Sequence, residues 1–286
     1  MKIFKKFTKR FFLLRPRFIS TIFFIPILYG MGWALSQPLL LLNVEQEILS
    51  LIGTIFTFLL FIFFLPYWFY FRWNISSTWL LIGITKHKLL RNIFHFYQGI
   101  LFSLVLIILI LIPLLQNNFI FWVGEFSNSI LLNSILLGFG VGFAEEIIFR
   151  GWLLEELKFA YGTKIAIALQ ALVFSFVHPV SNEIFWNIIG LRLGFFLLGI
   201  FLTLVRISYK GALWSCIGIH GGLVGIWFFI NNDLIDFKEN TPSLLAGPFT
   251  QNIPNPIGSF SAILILLFLI IFYGIKSKKI FSKHTY

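Results

Sequence analysis

Long runs of apolar residues, separated by short polar segments, extend along the whole sequence. The hydrocarbon core of a bilayer is about 30 Å thick, so a helix that crosses it needs about 20 apolar residues. Runs of that size fall at roughly 18 to 42, 48 to 71, 93 to 115 and 130 to 149, and shorter or interrupted runs follow at about 165 to 178, 184 to 205, 212 to 230 and 257 to 275. The pattern predicts an all-α, polytopic membrane helix bundle of about eight transmembrane segments.

Composition supports a membrane protein. Of 286 residues, 58% are hydrophobic and only 12% are charged, whereas soluble domains carry about 25% charged residues. The single cysteine, Cys216, excludes an internal disulfide and any metal site built from several cysteines.

The positions of the basic residues predict orientation. Although the net charge is +11, its clustering beside apolar runs indicates membrane topology rather than nucleic-acid binding. With a cytoplasmic N-terminus, all but two of the 22 Lys and Arg residues fall on the cytoplasmic side, the exceptions being Lys238 outside and Arg192 within a helix. We therefore predict an integral, multi-pass protein with both termini cytoplasmic, in contact with the lipid bilayer and not with nucleic acid.

Two acidic residues, Glu145 and Glu146, lie at the end of an otherwise uncharged apolar run. A charge at bilayer depth costs at least about 2.5 to 3.5 kcal/mol, so these groups need partners. Glu146 and Arg150 are four residues apart and share one helix face. Glu145 is rotated about 100° away from Glu146, and this makes it the candidate general base.

Two histidines follow within later apolar segments. Pro179 disfavours helical geometry at His178, so the helix should end there, with Phe174 one turn earlier on the same face. His220 lies among several glycines, which either allow close helix packing or leave room for a substrate. Taken singly, these residues have ordinary structural explanations as an ion pair and hydrogen-bonded core histidines. Together we expect Glu145, His178 and His220 to meet in one cavity.

The residues resemble the CAAX-protease and bacteriocin-processing (ABI) family of intramembrane proteases, which includes type II CAAX prenyl endopeptidases. The resemblance covers roughly residues 130 to 230. The family's EExxxR motif appears as Glu145 through Arg150, its FxxxH motif as Phe174 through His178, and its third histidine as His220.

By this resemblance, Glu145 with His178 would activate the water that attacks a peptide carbonyl, and His220 would help to stabilise the oxyanion. Glu146 and Arg150 complete the predicted site. The motifs do not distinguish a metal-free glutamate protease from a metalloprotease, because Glu145, His178 and His220 are also compatible with Zn²⁺. Many members carry Asn four residues after the third histidine, where this chain has Val224. Either another donor, such as Asn187, takes the oxyanion role, or the chain is a member without protease activity.

The chain is thus predicted to be an intramembrane endopeptidase acting on a peptide or protein substrate, of which prenylated proteins, leader peptides and regulatory membrane proteins are candidates. The main alternative is a non-catalytic membrane scaffold or immunity protein that retains the fold. A transporter that uses Glu145 and Arg192 as an ion path is a third reading. The predicted parts are N-terminal transmembrane helices at 1–129, a CAAX-protease-like core at 130–230, and an outer loop, last helix and basic tail at 231–286.

Overall fold

The computed structural model describes residues 9–179, 185–250 and 253–282. Its main helices are α1 (Phe18–Ser36), α2 (Gln46–Trp73), α3 (Leu89–Gln116), α4 (Asn128–Glu146), α5 (Leu154–Tyr161), α6 (Thr163–Val177), α7 (Phe185–Ser208), α8 (Trp214–Phe229) and α9 (Phe260–Ser282). Shorter helical turns lie at Gln37–Leu42, Thr78–Leu81, Ser243–Ala246 and Pro256–Gly258, and π-helical turns at Ile147–Leu153 and Ile230–Leu234.

Two small antiparallel ribbons complete the described structure. β1 (Ile120–Trp122) pairs with β2 (Ile235–Phe237), and β3 (Phe249–Thr250) pairs with β4 (Ile253–Pro254). Asp233 joins the first ribbon to α4, because its Oδ2 accepts a hydrogen bond of 2.8 Å from the backbone N–H of Ser127.

The predicted all-α membrane fold is confirmed. Within the described residues, six helices are long and apolar enough to cross a membrane, and two shorter apolar helices, Thr163–Val177 and Phe260–Lys276, stand where the sequence predicts further segments. Helices suit a bilayer because they satisfy every interior backbone group within one segment. The chain is therefore a multi-pass integral membrane protein.

The chain divides into two compact units, Met1–Thr78 and Trp79–Tyr286; the three-part division at 129 and 230 stays a prediction. In the first unit, α1 packs against α2 around Phe24 and Trp68, whose rings stack with centroids 4.4 Å apart. The buried Arg72 donates hydrogen bonds of 2.6 Å to the carbonyl of Phe12 and the hydroxyl of Ser20.

In the second unit, α8 packs between α3 and α4 at glycine contacts. A methyl group on Gly142 would approach the Cα of Gly221 to 2.6 Å, and one on Gly99 would approach the carbonyl oxygen of Ser215 to 2.5 Å. Gly138, one turn before Gly142 on α4, makes a similar contact, since a Cβ on Gly138 would lie 2.6 Å from the carbonyl oxygen of Gly221. These contacts hold His220 at a fixed distance from α4.

The predicted end of the fourth segment near residue 149 is wrong. Helical structure continues from α4 through the π-helical turn and α5 to Tyr161. Hydropathy suggested an exit from the membrane because several charged residues follow Phe143. The structure instead pairs charges inside the protein: Arg150 contacts Glu146, and Glu155 lies 2.8 Å from Nη1 of Arg206.

Candidate functional site

The predicted pair of Glu146 and Arg150 is confirmed and is fully buried. Nη1 of Arg150 donates to Oε1 of Glu146 over 2.7 Å, and both side chains are 0% exposed. The guanidinium carbon of Arg150 also lies 4.0 Å from the ring centroid of Phe174, a cation–π contact. The two opposite charges compensate each other at a depth where either alone would be costly.

Glu146 also holds His220, which is 3% exposed on α8. Nδ1 of the imidazole lies 2.8 Å from Oε1 of Glu146. The same oxygen accepts from Arg150, and a carboxylate oxygen only accepts hydrogen bonds, so we assign the hydrogen of this contact to Nδ1. In the neutral imidazole the lone pair then belongs to Nε2, which faces away from Glu146.

His178 stands at the end of α6, as its position before Pro179 predicts. The helix ends at Val177, and His178 has extended backbone angles, φ −72° and ψ 126°. Its Nδ1 lies 2.7 Å from the carbonyl oxygen of Phe174, so Nδ1 donates and Nε2 again carries the lone pair. The ring stacks on Phe195 of α7 with centroids 4.0 Å apart, and the predicted contact with Phe174 is present with centroids 4.6 Å apart.

The structure brings Glu145 and both histidines together. Oε2 of Glu145 lies 3.6 Å from Nε2 of His178 and 3.9 Å from Nε2 of His220. These distances exceed those of direct hydrogen bonds, and Oε2 is buried without a hydrogen-bond partner in the described structure. One carboxylate oxygen and two imidazole nitrogens with free lone pairs therefore face one another. All three are hydrogen-bond acceptors, so a group placed between them would have to donate hydrogen bonds to them.

These groups open into a cavity of about 560 Å³. Its wall is mainly apolar, with Phe195, Trp227 and Phe228 among the residues that line it, and its polar side chains besides the three converging residues are amides such as Asn231. Val224, one helical turn from His220, also lines the cavity. At this position the resemblance expects an amide donor.

The alternative donor, Asn187, is not brought to the site. Its Oδ1 accepts a hydrogen bond of 3.1 Å from the hydroxyl of Ser243, and it does not line the cavity. Asn187 belongs to the first turn of α7, whereas Phe195 on the same helix lies against His178. The suggestion that Asn187 replaces the missing amide therefore stays a prediction, without support from the residues that line the cavity.

The expectation of zinc stays a prediction. Carboxylate and imidazole groups are suitable zinc ligands, but in the parts of the chain that are described no three His, Cys, Asp or Glu side chains are spaced to hold a metal ion. The present spacing of Glu145, His178 and His220 does not fit a bound metal ion.

Sequence reasoning missed three contacts that support the site. Phe195 was one of 38 phenylalanines without a distinguishing signal. Arg206 was assigned to the cytoplasmic face, yet its guanidinium donates to the carbonyl oxygens of Arg150, Leu81 and Gly211. Arg192, which the charge pattern places within a helix, is a visible signal in the sequence, but its partners at the end of α6 cannot be deduced from it.

Comparison with known families gives two matches. Residues 127–226 match the family model described as type II CAAX prenyl endopeptidase Rce1-like, and residues 4–77 match one described as a domain of unknown function, DUF8676. The search of curated proteins and the search of solved structures gave no match. The first matched segment contains Glu145, Glu146, Arg150, His178 and His220.

Proposed function

We propose that this chain, whose residues 127–226 match the family model of Rce1-like type II CAAX prenyl endopeptidases, is an intramembrane endopeptidase that hydrolyses a peptide bond with an activated water. The observation that carries the proposal is the convergence of Oε2 of Glu145 with Nε2 of His178 and Nε2 of His220, within 3.6 and 3.9 Å. The groups line a cavity large enough for a peptide segment.

The hydrogen-bonding roles of the two histidines support a bound water. Both Nδ1 atoms donate, to Phe174 and to Glu146, so both Nε2 atoms can accept. A water about 2.8 Å from the three converging atoms would donate its two hydrogens among them and would leave its oxygen lone pairs free. That is the state in which a water oxygen can attack an electrophilic carbon.

The proposed reaction balances with the residues of the site alone. As the water oxygen forms a bond to the substrate carbonyl carbon, Glu145 takes one of its protons. His178 accepts the other hydrogen in a hydrogen bond and orients the attack. The tetrahedral intermediate then breaks its C–N bond, and Glu145 returns the proton to the departing amine, leaving a carboxylic acid and an amine.

His220 would stabilise the oxyanion. The water proton that Glu145 accepts would pass to Nε2 of His220, 3.9 Å from its Oε2. The carboxylate of Glu146, which accepts the Nδ1–H of His220, would compensate the imidazolium charge until the proton returns through Glu145 to the departing amine. Nε2–H could then donate to the oxygen of the tetrahedral intermediate, since donors aimed at developing charge lower the barrier most in sites that exclude water. Arg150, which donates to Oε1 of Glu146, orients the carboxylate for this role.

The proposed substrate is a membrane-associated peptide or protein segment. The apolar wall around Phe195, Trp227 and Phe228 favours an apolar chain next to the scissile bond. By family membership, a CAAX-type C-terminus with a prenylated cysteine is the first candidate, and leader peptides or regulatory membrane proteins are others.

The test uses purified protein in lipid nanodiscs and internally quenched peptides with a CAAX-type C-terminus, with and without S-farnesyl cysteine. We expect cleavage by the unmodified protein, and a fall of about 10³-fold or more for Glu145→Gln and His178→Ala. Unchanged cleavage by either variant would refute the assigned roles. Loss of cleavage on adding a chelator, reversed by zinc, would establish the metal-dependent form.

A second candidate, a non-catalytic scaffold or immunity protein, is favoured by Val224, which puts an apolar side chain in the cavity wall one turn from His220. It predicts that the unmodified protein cleaves none of these peptides. It also predicts that a cellular phenotype of deleting the chain is restored equally by the unmodified protein and by Glu145→Gln.

A further inference from the structure

The end of α6 has a backbone defect that the sequence imposes. In an α-helix, the carbonyl of residue 175 would accept a hydrogen bond from the N–H of residue 179. Residue 179 is proline, which has no N–H. The carbonyl of Ser175, at the end of a helix in an apolar region, therefore needs another donor.

Arg192 of α7 supplies that donor. Its Nη1 donates to the carbonyl oxygen of Ser175 and, over 2.8 Å, to that of His178. The hydroxyl of Ser175 in turn donates over 2.7 Å to the carbonyl oxygen of Arg192, and the guanidinium carbon lies 5.2 Å from the ring centroid of Phe176. A positive charge at a helix C-terminus is also favoured by the helix dipole.

The same face of α7 fixes the imidazole. Phe195 is three residues after Arg192, which places both on one side of the helix, and its ring stacks on His178. Arg192 thus holds the backbone of His178 while Phe195 holds its ring. Nε2 is thereby directed toward Oε2 of Glu145.

We propose that Arg192 is a positioning residue for the hydrolytic site: by donating to the carbonyl oxygens of Ser175 and His178, it fixes the end of α6 so that His178 can orient the attacking water. The inference rests on the proposed function, in which His178 contacts the water. Its consequence is that loss of Arg192 impairs the chemical step more than substrate binding. This use of Arg192 also replaces its reading as part of an ion path.

The experiment compares Arg192→Met and Arg192→Lys with the control Thr203→Val. Thr203 also joins α7 to α6, because its hydroxyl donates over 2.9 Å to Oε1 of the buried Gln170, but it lies three turns along α7 from Arg192. The probe is whichever quenched CAAX-type peptide the unmodified protein cleaves fastest in nanodiscs. Thermal unfolding of each variant measures its fold separately.

We expect Arg192→Met to lower kcat by about 10-fold or more with KM within about twofold, because misplacing a catalytic group chiefly affects the chemical step. Arg192→Lys, which keeps a cationic donor, should recover part of that loss, and Thr203→Val should keep kcat within about twofold. If the Arg192→Met protein does not insert into the membrane, comparing kcat of Arg192→Lys with that of Arg192→Gln tests the role of the cationic donor instead.

Two results would overturn the inference. One is a wild-type kcat for Arg192→Met, or for both the Lys and Gln variants. The other is an equal fall of kcat in Thr203→Val, which would make Arg192 an ordinary contact between helices. Both are distinct from failure of the proposed function, in which Glu145→Gln itself would retain cleavage.

Discussion

Glu146 uses one oxygen, Oε1, to accept hydrogen bonds from Arg150 and His220. Oε2 of each of the two glutamates is buried without a hydrogen-bond partner in the described structure, but Oε2 of Glu145 faces Nε2 of His178 and Nε2 of His220. Adjacent, chemically identical residues thus acquire different roles from a rotation of about 100° around the helix. Glu146 is suited to organise the site, and Glu145 to act on a water.

Replacing Glu146 by Gln should destabilise the fold. The substitution leaves Arg150, which is 0% exposed, without its counter-charge, and breaking a buried ion pair from one side costs about 3 to 5 kcal/mol. Thermal unfolding in detergent should show a lower Tm for Glu146→Gln and recovery of most of the loss in the double variant with Arg150→Met. A Tm equal to that of the unmodified protein would contradict a paired, buried Arg150.

A substitution of Val224 should increase activity rather than reduce stability. Val224→Asn places an amide donor one turn from His220 in the cavity wall, and a single oxyanion donor contributes about 10²- to 10³-fold to kcat where it is well aimed. We expect kcat to rise by about 10-fold or more. This increase is smaller than that of an ideal donor, because the new amide is not optimally aligned with the oxyanion. The control, Val224→Leu, has nearly the shape of Asn without its amide and should not gain; equal kcat values for the two variants would show that the amide has no role.

At the scale of elements, glycine contacts decide how closely α4 and α8 approach. A Cβ on Gly221 would collide with the carbonyl oxygen of Gly138, whereas a Cβ on Gly140, also on α4, would meet nothing within 4 Å. Close approach of helices through small residues is a main source of stability inside a bilayer. The same contact sets the distance between Glu145 and His220.

Gly221→Ala should therefore separate the two helices and lower both Tm and kcat. Overpacking of a tight contact costs about 1 to 3 kcal/mol. Gly140→Ala makes the same chemical change on a free face and should be neutral or slightly stabilising, because alanine is the better helix former by about 1 kcal/mol. Equal effects of the two substitutions on Tm would contradict the packing described here.

The sequence was sufficient for the approximate number and position of the apolar helices, because hydropathy and length determine these directly. Pairing of Glu146 with Arg150 and the end of α6 before Pro179 were also predictable, since each depends on residues close along the chain. The extension of α4 to Tyr161 was not, because its charges are neutralised by Arg206, which lies on another helix. The donor for Ser175 likewise comes from a distant residue, and no local pattern identifies it.

The distribution of basic residues over the whole molecule predicts on which side of the membrane the termini and the loops lie. Among the described residues there are six long apolar helices and two shorter ones, and an even number of crossings, six or eight, would put both termini on the same side, as predicted. Reporter fusions after Leu115 and after Lys283 should report outside and cytoplasmic locations respectively, because Lys and Arg are retained on the cytoplasmic side. Finding both reporters on one side would refute the predicted orientation.

Glu145, His178 and His220 come from three separate segments of the chain, and we propose that all three act on one water molecule. The most direct test measures kcat/KM for Glu145→Gln, His178→Ala and the double variant on one quenched peptide in nanodiscs. Substitutions of residues that act together have non-additive effects on kcat/KM. We therefore expect each single variant to lose about as much of its kcat/KM as the double variant does. Losses that multiply, or a single variant that keeps the activity of the unmodified protein, would contradict it.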